Sequence, residues 1–165
     1  MKEFGWDLEK YEKEGKFVFL EYNPEKVRSM LDEGGGSIEN IVYKSKIKRI
    51  VLDSVTAFAL LFEDELKRRE QALALFDIIR KWGCTSLLTL QENPLDRKSG
   101  PSSSLEFEAD GIILMYFVMA GSKRKRLIEI LKMRGTNHST EIHEVKITPK
   151  GIIVGKKSSL SSAII

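Results

Sequence analysis

The chain has 165 residues, enough for one domain with a buried core, and its 42% apolar and 31% charged residues are typical of a folded, water-soluble protein. A formal net charge of +3 is too small to indicate a nucleic-acid partner, and the single cysteine, Cys84, excludes an internal disulfide and a multi-cysteine metal site. No apolar run approaches the ~20 residues that span a bilayer, and Met1–Trp6 does not resemble a signal peptide. The composition therefore predicts a cytoplasmic protein with no membrane partner.

The first third of the chain predicts a strand and two helices. Lys16–Tyr22 is rich in aromatic and β-branched residues, which predicts a strand, and Asn23-Pro24 is a suitable start for a helix over Glu25–Glu33. Gly34-Gly35-Gly36 ends that helix. No Gly-Lys-Ser/Thr follows these glycines, so they predict a flexible loop rather than a phosphate cradle. Ser37 can cap a second helix that continues to about Ser45.

The hexapeptide Arg49-Ile50-Val51-Leu52-Asp53-Ser54 is the centre of the prediction. Its continuous apolar run is typical of a strand buried on both faces of a parallel sheet. Asp53 would stand at the carboxyl end of that strand, where open α/β sheets bind their ligands. In P-loop nucleotide hydrolases an aspartate in this position holds Mg²⁺. The alternative is a buried strand whose last residue caps the next turn, and the hexapeptide alone leaves both interpretations open.

A helix, a second apolar strand and a polar loop follow. Leu66–Trp82 carries its apolar residues mostly on one face, which predicts a helix packed on the core. Thr85–Leu90 predicts another strand buried on both faces, and it ends at the polar pair Gln91-Glu92. Asn93–Ser104 is rich in Pro, Gly, Ser and charge, so it predicts a mobile loop.

The last third predicts antiparallel strands. Gly111–Val118 and Leu127–Met133 form two of them, joined by the basic turn Gly121–Arg126. Glu141–Ile147 and Gly151–Val154 predict a hairpin about Thr148-Pro149-Lys150. The order of elements predicts an α/β fold with a mainly parallel sheet and antiparallel C-terminal strands, in one domain over residues 1–155 with a tail at 156–165.

Several segments together resemble one known family. They are Asp53-Ser54, Gln91-Glu92, the run Lys132-Met133-Arg134-Gly135-Thr136 followed by His138, and Ile147-Thr148-Pro149-Lys150-Gly151-Ile152. On these residues the chain is similar to the KaiC-type ATPases of the RecA/RadA superfamily, particularly the short archaeal KaiC-like proteins. The resemblance extends over residues 4–155. It implies an incomplete RecA-like P-loop NTPase core, ATP and Mg²⁺ as ligands, and assembly of subunits into a ring.

The resemblance also implies roles at the ends of the two apolar strands. Asp53 matches the Walker B aspartate that helps to hold Mg²⁺. Gln91 and Glu92 match the position of a polar sensor at the end of the strand beside the P-loop strand.

A second group of implied roles lies on a later strand. Lys132 and Arg134 match residues that reach the γ-phosphate bound by a neighbouring subunit, and Thr136 and His138 lie where the same edge approaches that nucleotide. Alternate residues of a strand point to the same face, so the two cations can neutralise phosphate charge in trans as an arginine finger does. The alternative for Lys132 and Arg134 is an exposed, charged strand face.

The chain departs from the family in two motifs. It contains no Gly-x-x-x-x-Gly-Lys-Ser/Thr, and it lacks the glutamate pair that activates the attacking water. In the family both lie upstream of the position where this sequence starts. We therefore expect a truncated KaiC-like domain in which the isolated chain does not hydrolyse ATP and binds no nucleotide with ordinary affinity.

Three further hypotheses concern partners. The chain could be a non-catalytic module that docks on complete KaiC-like subunits and presents Lys132 and Arg134 to their nucleotide. It could bind nucleic acid through Lys123-Arg124-Lys125-Arg126 and the loop Asn93–Ser104, although four cations at a turn are usually solvated. Finally, the family's P-loop strand and second strand are internal to its sheet, so their absence predicts open edges and a homo-oligomer.

Overall fold

Parallel and antiparallel strands lie in separate sheets, one of two strands and one of four. The computed structural model describes residues 2–91 and 108–159. Residues 18–108 belong to one unit, here the parallel unit, and residues 1–17 with 109–165 belong to another, the antiparallel unit. In chain order the elements are a 3-10 turn at Lys2–Phe4, α1 (Leu8–Lys13), α2 (Pro24–Asp32), α3 (Gly36–Lys44), β1 (Arg49–Leu52), α4 (Val55–Ala59), α5 (Glu65–Lys81), β2 (Thr85–Leu88), β3 (Gly111–Ala120), β4 (Lys123–Met133), β5 (His143–Thr148) and β6 (Gly151–Lys157).

The helix α2 begins and ends where its local sequence dictates. The Asn23 side chain accepts a hydrogen bond from the backbone N–H of Lys26 at 2.9 Å, and Pro24 occupies the first turn, where its missing N–H costs nothing. Gly34-Gly35-Gly36 then has φ values of 69°, 118° and 49°. Residues with a Cβ rarely adopt such angles, so the glycines mark the boundary: α2 ends before Gly34, and α3 begins at Gly36 with Gly35 rather than the predicted Ser37 as its N-cap. The prediction that they end the helix is confirmed.

The parallel unit is built on the pairing of β1 with β2. The two strands run in parallel with Arg49 opposite Thr85 and Leu52 opposite Leu88. Ile50 and Leu52 pack against the buried core, whereas Val51 is 66% exposed and its partner Leu87 is 56% exposed. The prediction that both strands are buried on both faces is therefore wrong. Successive side chains point to opposite faces, and the described helices of this unit pack on one face alone.

The helix α5 supplies the centre of that core. Leu75, the most deeply buried side chain of the helix, is 1% exposed. The core cluster joins residues of α2, α3, α4 and α5 with Phe62 and Trp82, which follow α4 and α5: Val27, Met30, Leu31, Val42, Val55, Phe58, Phe62, Leu75, Ile78, Ile79 and Trp82. The predicted apolar face of the helix is confirmed for this cluster but not for Leu66, which is 70% exposed because it lies in the first turn, beyond the packed region.

The segment before α2 is not the strand that its composition predicts. Residues 17–23 have no regular secondary structure, and Phe19 is 69% exposed. Only Tyr22 packs partly against the core, and its hydroxyl lies 2.9 Å from Ser37 Oγ. β-propensity is expressed through packing on a neighbouring strand, and no strand pairs with these residues in the described part of the chain.

The antiparallel unit contains a four-stranded sheet in the order β3-β4-β5-β6. β3 and β4 pair along their whole length, from Gly111 opposite Met133 to Ala120 opposite Lys123. β4 therefore begins at Lys123 rather than at Leu127, and the predicted basic turn is wrong in extent. The connection needs only Gly121 and Ser122, because Gly121 adopts a φ of 61° that permits a tight turn. The hairpin of β5 and β6 about Thr148-Pro149-Lys150 is confirmed.

The α/β architecture with a parallel sheet and antiparallel C-terminal strands agrees with the prediction from sequence. Within the described ranges, the two sheets share no ladder of hydrogen bonds. None of the helices in these ranges combines the length and the apolar content that crossing a membrane requires.

The burial of α5 leads to a stability prediction. Leu75→Ala should lower the free energy of unfolding by about 2–5 kcal/mol, because it removes a fully buried side chain and leaves a cavity. Leu66→Ala is the matched control on the same helix, and it should change stability by less than about 0.5 kcal/mol because its side chain is already in water. Urea unfolding followed by circular dichroism measures both variants. Equal losses in the two would contradict this description of the core.

Candidate functional site

The carboxyl ends of β1 and β2 bring Asp53 and Thr89 together. The register that pairs Leu52 with Leu88 places the next residue of each strand side by side. The Thr89 hydroxyl donates a hydrogen bond to Asp53 Oδ1 at 2.5 Å, and the Asp53 side chain is exposed. This hydroxyl orients the carboxylate at the edge of the sheet where α/β proteins bind ligands. The sequence analysis did not predict a role for Thr89. Its position beside Asp53 follows from the register of β1 and β2.

Gln91 reaches the same edge through its backbone. Its N–H donates to Thr56 Oγ1 at 2.7 Å, and Thr56 lies in the first turn of α4, three residues beyond Asp53. The Val55 N–H also donates to the Thr89 carbonyl at 3.0 Å. These bonds tie the chain after β2 to the chain after β1. Glu92, the other half of the predicted sensor pair, lies outside the described residues.

The donor set at this edge fits one particular kind of metal site. Asp53 supplies a single carboxylate, and among the described residues no group of three or more His, Cys, Asp and Glu side chains could enclose a metal ion. Mg²⁺ is usually bound through one or two carboxylates, with water and phosphate oxygens as the remaining ligands. Asp53 therefore fits Mg²⁺ that arrives with a nucleotide, and the described residues at this edge do not form a metal-binding cage by themselves.

Lys132 and Arg134 lie at the open end of the β3–β4 hairpin. Lys132 pairs in register with Ile112, and one residue separates it from Arg134. The Arg134 N–H donates to the Asp110 carbonyl at 2.8 Å, and Arg134 Nη1 lies 3.2 Å from Asp110 Oδ1. The Arg134 side chain remains 52% exposed. The sequence analysis did not identify Asp110 as a partner of Arg134, because the hairpin sets the register that places the two residues opposite each other.

Thr136 and His138 lie in the turn that follows β4. Gly135, with a φ of 65°, reverses the chain there, and the Thr136 side chain is exposed. His138 Nδ1 lies 3.0 Å from the Ser139 carbonyl, and Ser139 Oγ lies 3.3 Å from His143 Nε2. A short local network of hydrogen bonds therefore holds this turn.

The predicted site residues thus divide between the two units. Asp53 and Gln91 belong to the parallel unit, whereas Lys132, Arg134 and the turn after them belong to the antiparallel unit. The roles suggested by the resemblance, metal binding for the first group and phosphate binding for the second, stay predictions.

Comparison with known proteins gives consistent results. The family model described as "ATPase: KaiC" matches residues 1–159. The circadian clock protein KaiC3 of Synechocystis sp. is 35% identical over 162 residues, covering 93% of this chain and 32% of that protein. A UPF0273 protein of Thermotoga maritima is 33% identical, covering 93% of this chain and 68% of that protein.

The solved structures include a close match in fold. The crystal structure of the KaiC-like protein PH0186 from Pyrococcus horikoshii OT3 has a TM-score of 0.78 and 36% sequence identity, covering 94% of this chain and 68% of that one. The chain spans about a third of KaiC3 and about two thirds of the shorter relatives that it matches. Because the family model covers nearly the whole chain and the fold agrees, the protein belongs to the KaiC family of RecA-like ATPases.

Proposed function

We propose that this chain supplies the metal-binding aspartate and the trans-acting cations of a KaiC-type ATP site, and that it does not hydrolyse ATP alone. The observation that carries the proposal is the Asp53 carboxylate, held by the Thr89 hydroxyl at the ligand-binding edge of the parallel pair. The residues that cradle phosphates in this family, Gly-x-x-x-x-Gly-Lys-Ser/Thr, do not occur in the 165 residues.

Asp53 would hold Mg²⁺ beside the β- and γ-phosphates of ATP, where the ion neutralises the charge that develops during phosphoryl transfer. Gln91 and Glu92 would sense that ligand from the adjoining strand end. The backbone bond from Gln91 to Thr56 supports this assignment, because it couples the segment after β2 to the start of α4. A displacement at the end of β1 would then change the position of the chain at the end of β2, and the reverse.

Lys132 and Arg134 would act on a nucleotide bound by a neighbouring subunit, with Thr136 and His138 beside it. Lys132 lies near the end of β4 and Arg134 is the first residue after it, so both cations belong to the open end of the β3–β4 hairpin. The Arg134 guanidinium is half exposed and carries an ion pair with Asp110 that phosphate oxygens could replace. Exposed ion pairs of this kind contribute only ~0–1 kcal/mol to stability, so replacing Asp110 by a phosphate group as the partner of Arg134 costs little free energy.

The proposed lack of ATP hydrolysis by the isolated chain follows from which groups catalyse phosphoryl transfer. Phosphoryl transfer is catalysed almost entirely by positioning and charge stabilisation, and both depend on the cradle of backbone N–H groups and its lysine. No residue of the 165 matches the family's general base. A single carboxylate with Mg²⁺ supplies only one part of that machinery, so the chain needs a complete neighbour to take part in turnover.

The same chain is also proposed to self-associate. Val51 and Leu87 leave one face of the parallel pair exposed, and β3 exposes a row of apolar side chains. That row consists of Ile113, Met115, Phe117 and Met119, each at least 50% exposed. β3 also carries no charged residue over its ten positions, and charge is a common device against edge-to-edge pairing.

The trans role predicts the behaviour of a mixture with a complete KaiC-like ATPase. The wild-type chain should raise ATP turnover by that relative, and Arg134→Ala should abolish most of the increase, by ~10³-fold for an arginine-finger residue. Complex formation, followed by size-exclusion chromatography, should be nearly unchanged. Arg69→Ala, which removes an exposed arginine from α5, is the control and should stimulate like wild type. A mixture in which wild type gives no stimulation would remove the trans role.

Self-association predicts the mass in solution. Light scattering at micromolar concentration should give at least twice 18.8 kDa, because a second copy buries the exposed apolar surface. Leu87→Lys should shift the mass towards the monomer if the bare face of the parallel pair is used, and Met115→Lys if β3 is used. Leu66→Lys, at an exposed helix position, is the control. A stable monomer across the concentration range contradicts the proposal.

A further inference from the structure

The strands β4 and β5 separate beyond Arg126 and Val145. β4 begins at Lys123 and β5 continues to Thr148, but their ladder covers only Arg126–Ile128 with His143–Val145. The remaining ends pair with β3 on one side and β6 on the other. An open cleft of about 340 Å³ lies along these separated ends. Main-chain groups that face it take no part in the β4–β5 ladder.

The lining of this cleft, here the basic cleft, is strongly positive. It consists of Arg124, Lys125, Arg126, Glu144, Val145, Lys146, Ile147 and Thr148. The four cations outnumber the single carboxylate, and Lys125 Nζ already pairs with Glu144 at 2.6 Å. The surplus of three positive charges equals the net charge of the whole chain, +3. Like charges gathered in one concavity repel each other, and an anionic ligand relieves that repulsion.

Two of the cations are held in place by an aromatic ring. The guanidinium carbons of Arg124 and Arg126 lie 5.2 Å and 5.1 Å from the centroid of Phe117, which is 54% exposed. Such cation–π contacts restrict the rotamers of both arginines and so lower the entropy lost on binding. Planar guanidinium groups also match phosphate oxygens and stack on nucleobases.

We propose that the basic cleft binds single-stranded nucleic acid, with its cations on the phosphates and its guanidinium planes stacked on bases. A charged groove that tracks the backbone, combined with planar stacking groups, is the usual design for binding single strands without sequence preference. An anionic membrane is the competing partner, but it offers no planar bases on which the guanidinium groups could stack. No residue of the cleft belongs to the proposed ATP site.

The test measures fluorescence anisotropy of a labelled oligothymidylate of ~20 residues with the full chain, in salt from about 50 to about 200 mM. We expect a dissociation constant in the range of ~10⁻⁶–10⁻⁴ M, and three phosphate contacts give a slope of log K against log salt of about −2. Arg124→Gln with Arg126→Gln should weaken binding by at least ~10-fold at the lowest salt and reduce the slope to about −0.7. Lys146→Gln alone should reduce it to about −1.4.

A matched control separates the cleft from general charge. Lys67→Gln with Arg69→Gln removes the same charge from an exposed face of α5, and its binding and slope should equal those of wild type. Circular dichroism of each variant verifies folding. The proposal is overturned if wild type does not bind at the lowest salt, or if the α5 control loses as much affinity as the cleft variant. Binding to phosphatidylserine vesicles without oligonucleotide binding would also overturn it and assign the cleft to membrane.

Discussion

The pairing of β1 with β2 is the constraint on which the parallel unit depends. Its register places Asp53 beside Thr89, and the 2.5 Å bond between them fixes the carboxylate at the edge of the sheet. The same register holds the pair against α5, whose Leu75 is almost completely buried. A shift by one residue would turn Ile50 and Leu52 from the core to water. The packing that stabilises the unit therefore also positions its candidate metal ligand.

The residues proposed to form parts of a nucleotide site are divided between the two units. Asp53 and the segment around Gln91 belong to the parallel unit, whereas Lys132 and Arg134 belong to the antiparallel unit. The first group follows the paired strands β1 and β2, and the second lies at the end of the β3–β4 ladder and in the turn after it. We propose that each group acts on nucleotide phosphates in an assembly with a neighbouring subunit. The basic cleft, which is formed by β4 and β5 of the antiparallel unit, is proposed to bind a second anionic partner.

Local sequence patterns predicted the elements whose signals are local. Asn23 caps the start of α2, and the three glycines mark its end. Apolar periodicity located α5 and the hairpin strands. Features that depend on distant partners were not predictable. Phe19 and its neighbours have the composition of a strand but lack a strand to pair with among the described residues, and Val51 is apolar yet lies on the bare face of its sheet. Asp53, Lys132 and Arg134 were identified by resemblance, while Thr89 and Asp110 required the strand register. In the sequence the basic cleft is only a run of cations, because the cleft forms where β4 and β5 separate.

The central claim is that this chain contributes to an ATP site but cannot complete one, and steady-state turnover by the purified chain tests it most directly. With ATP and Mg²⁺ in excess, phosphate release should not exceed that of a blank without protein, and Asp53→Ala should give the same trace. The result expected rests on the missing phosphate cradle and general base, which together supply most of the catalysis in phosphoryl transfer. Turnover clearly above the blank that disappears in Asp53→Ala would contradict the account, because it would show that the residues present bind and activate the nucleotide by themselves.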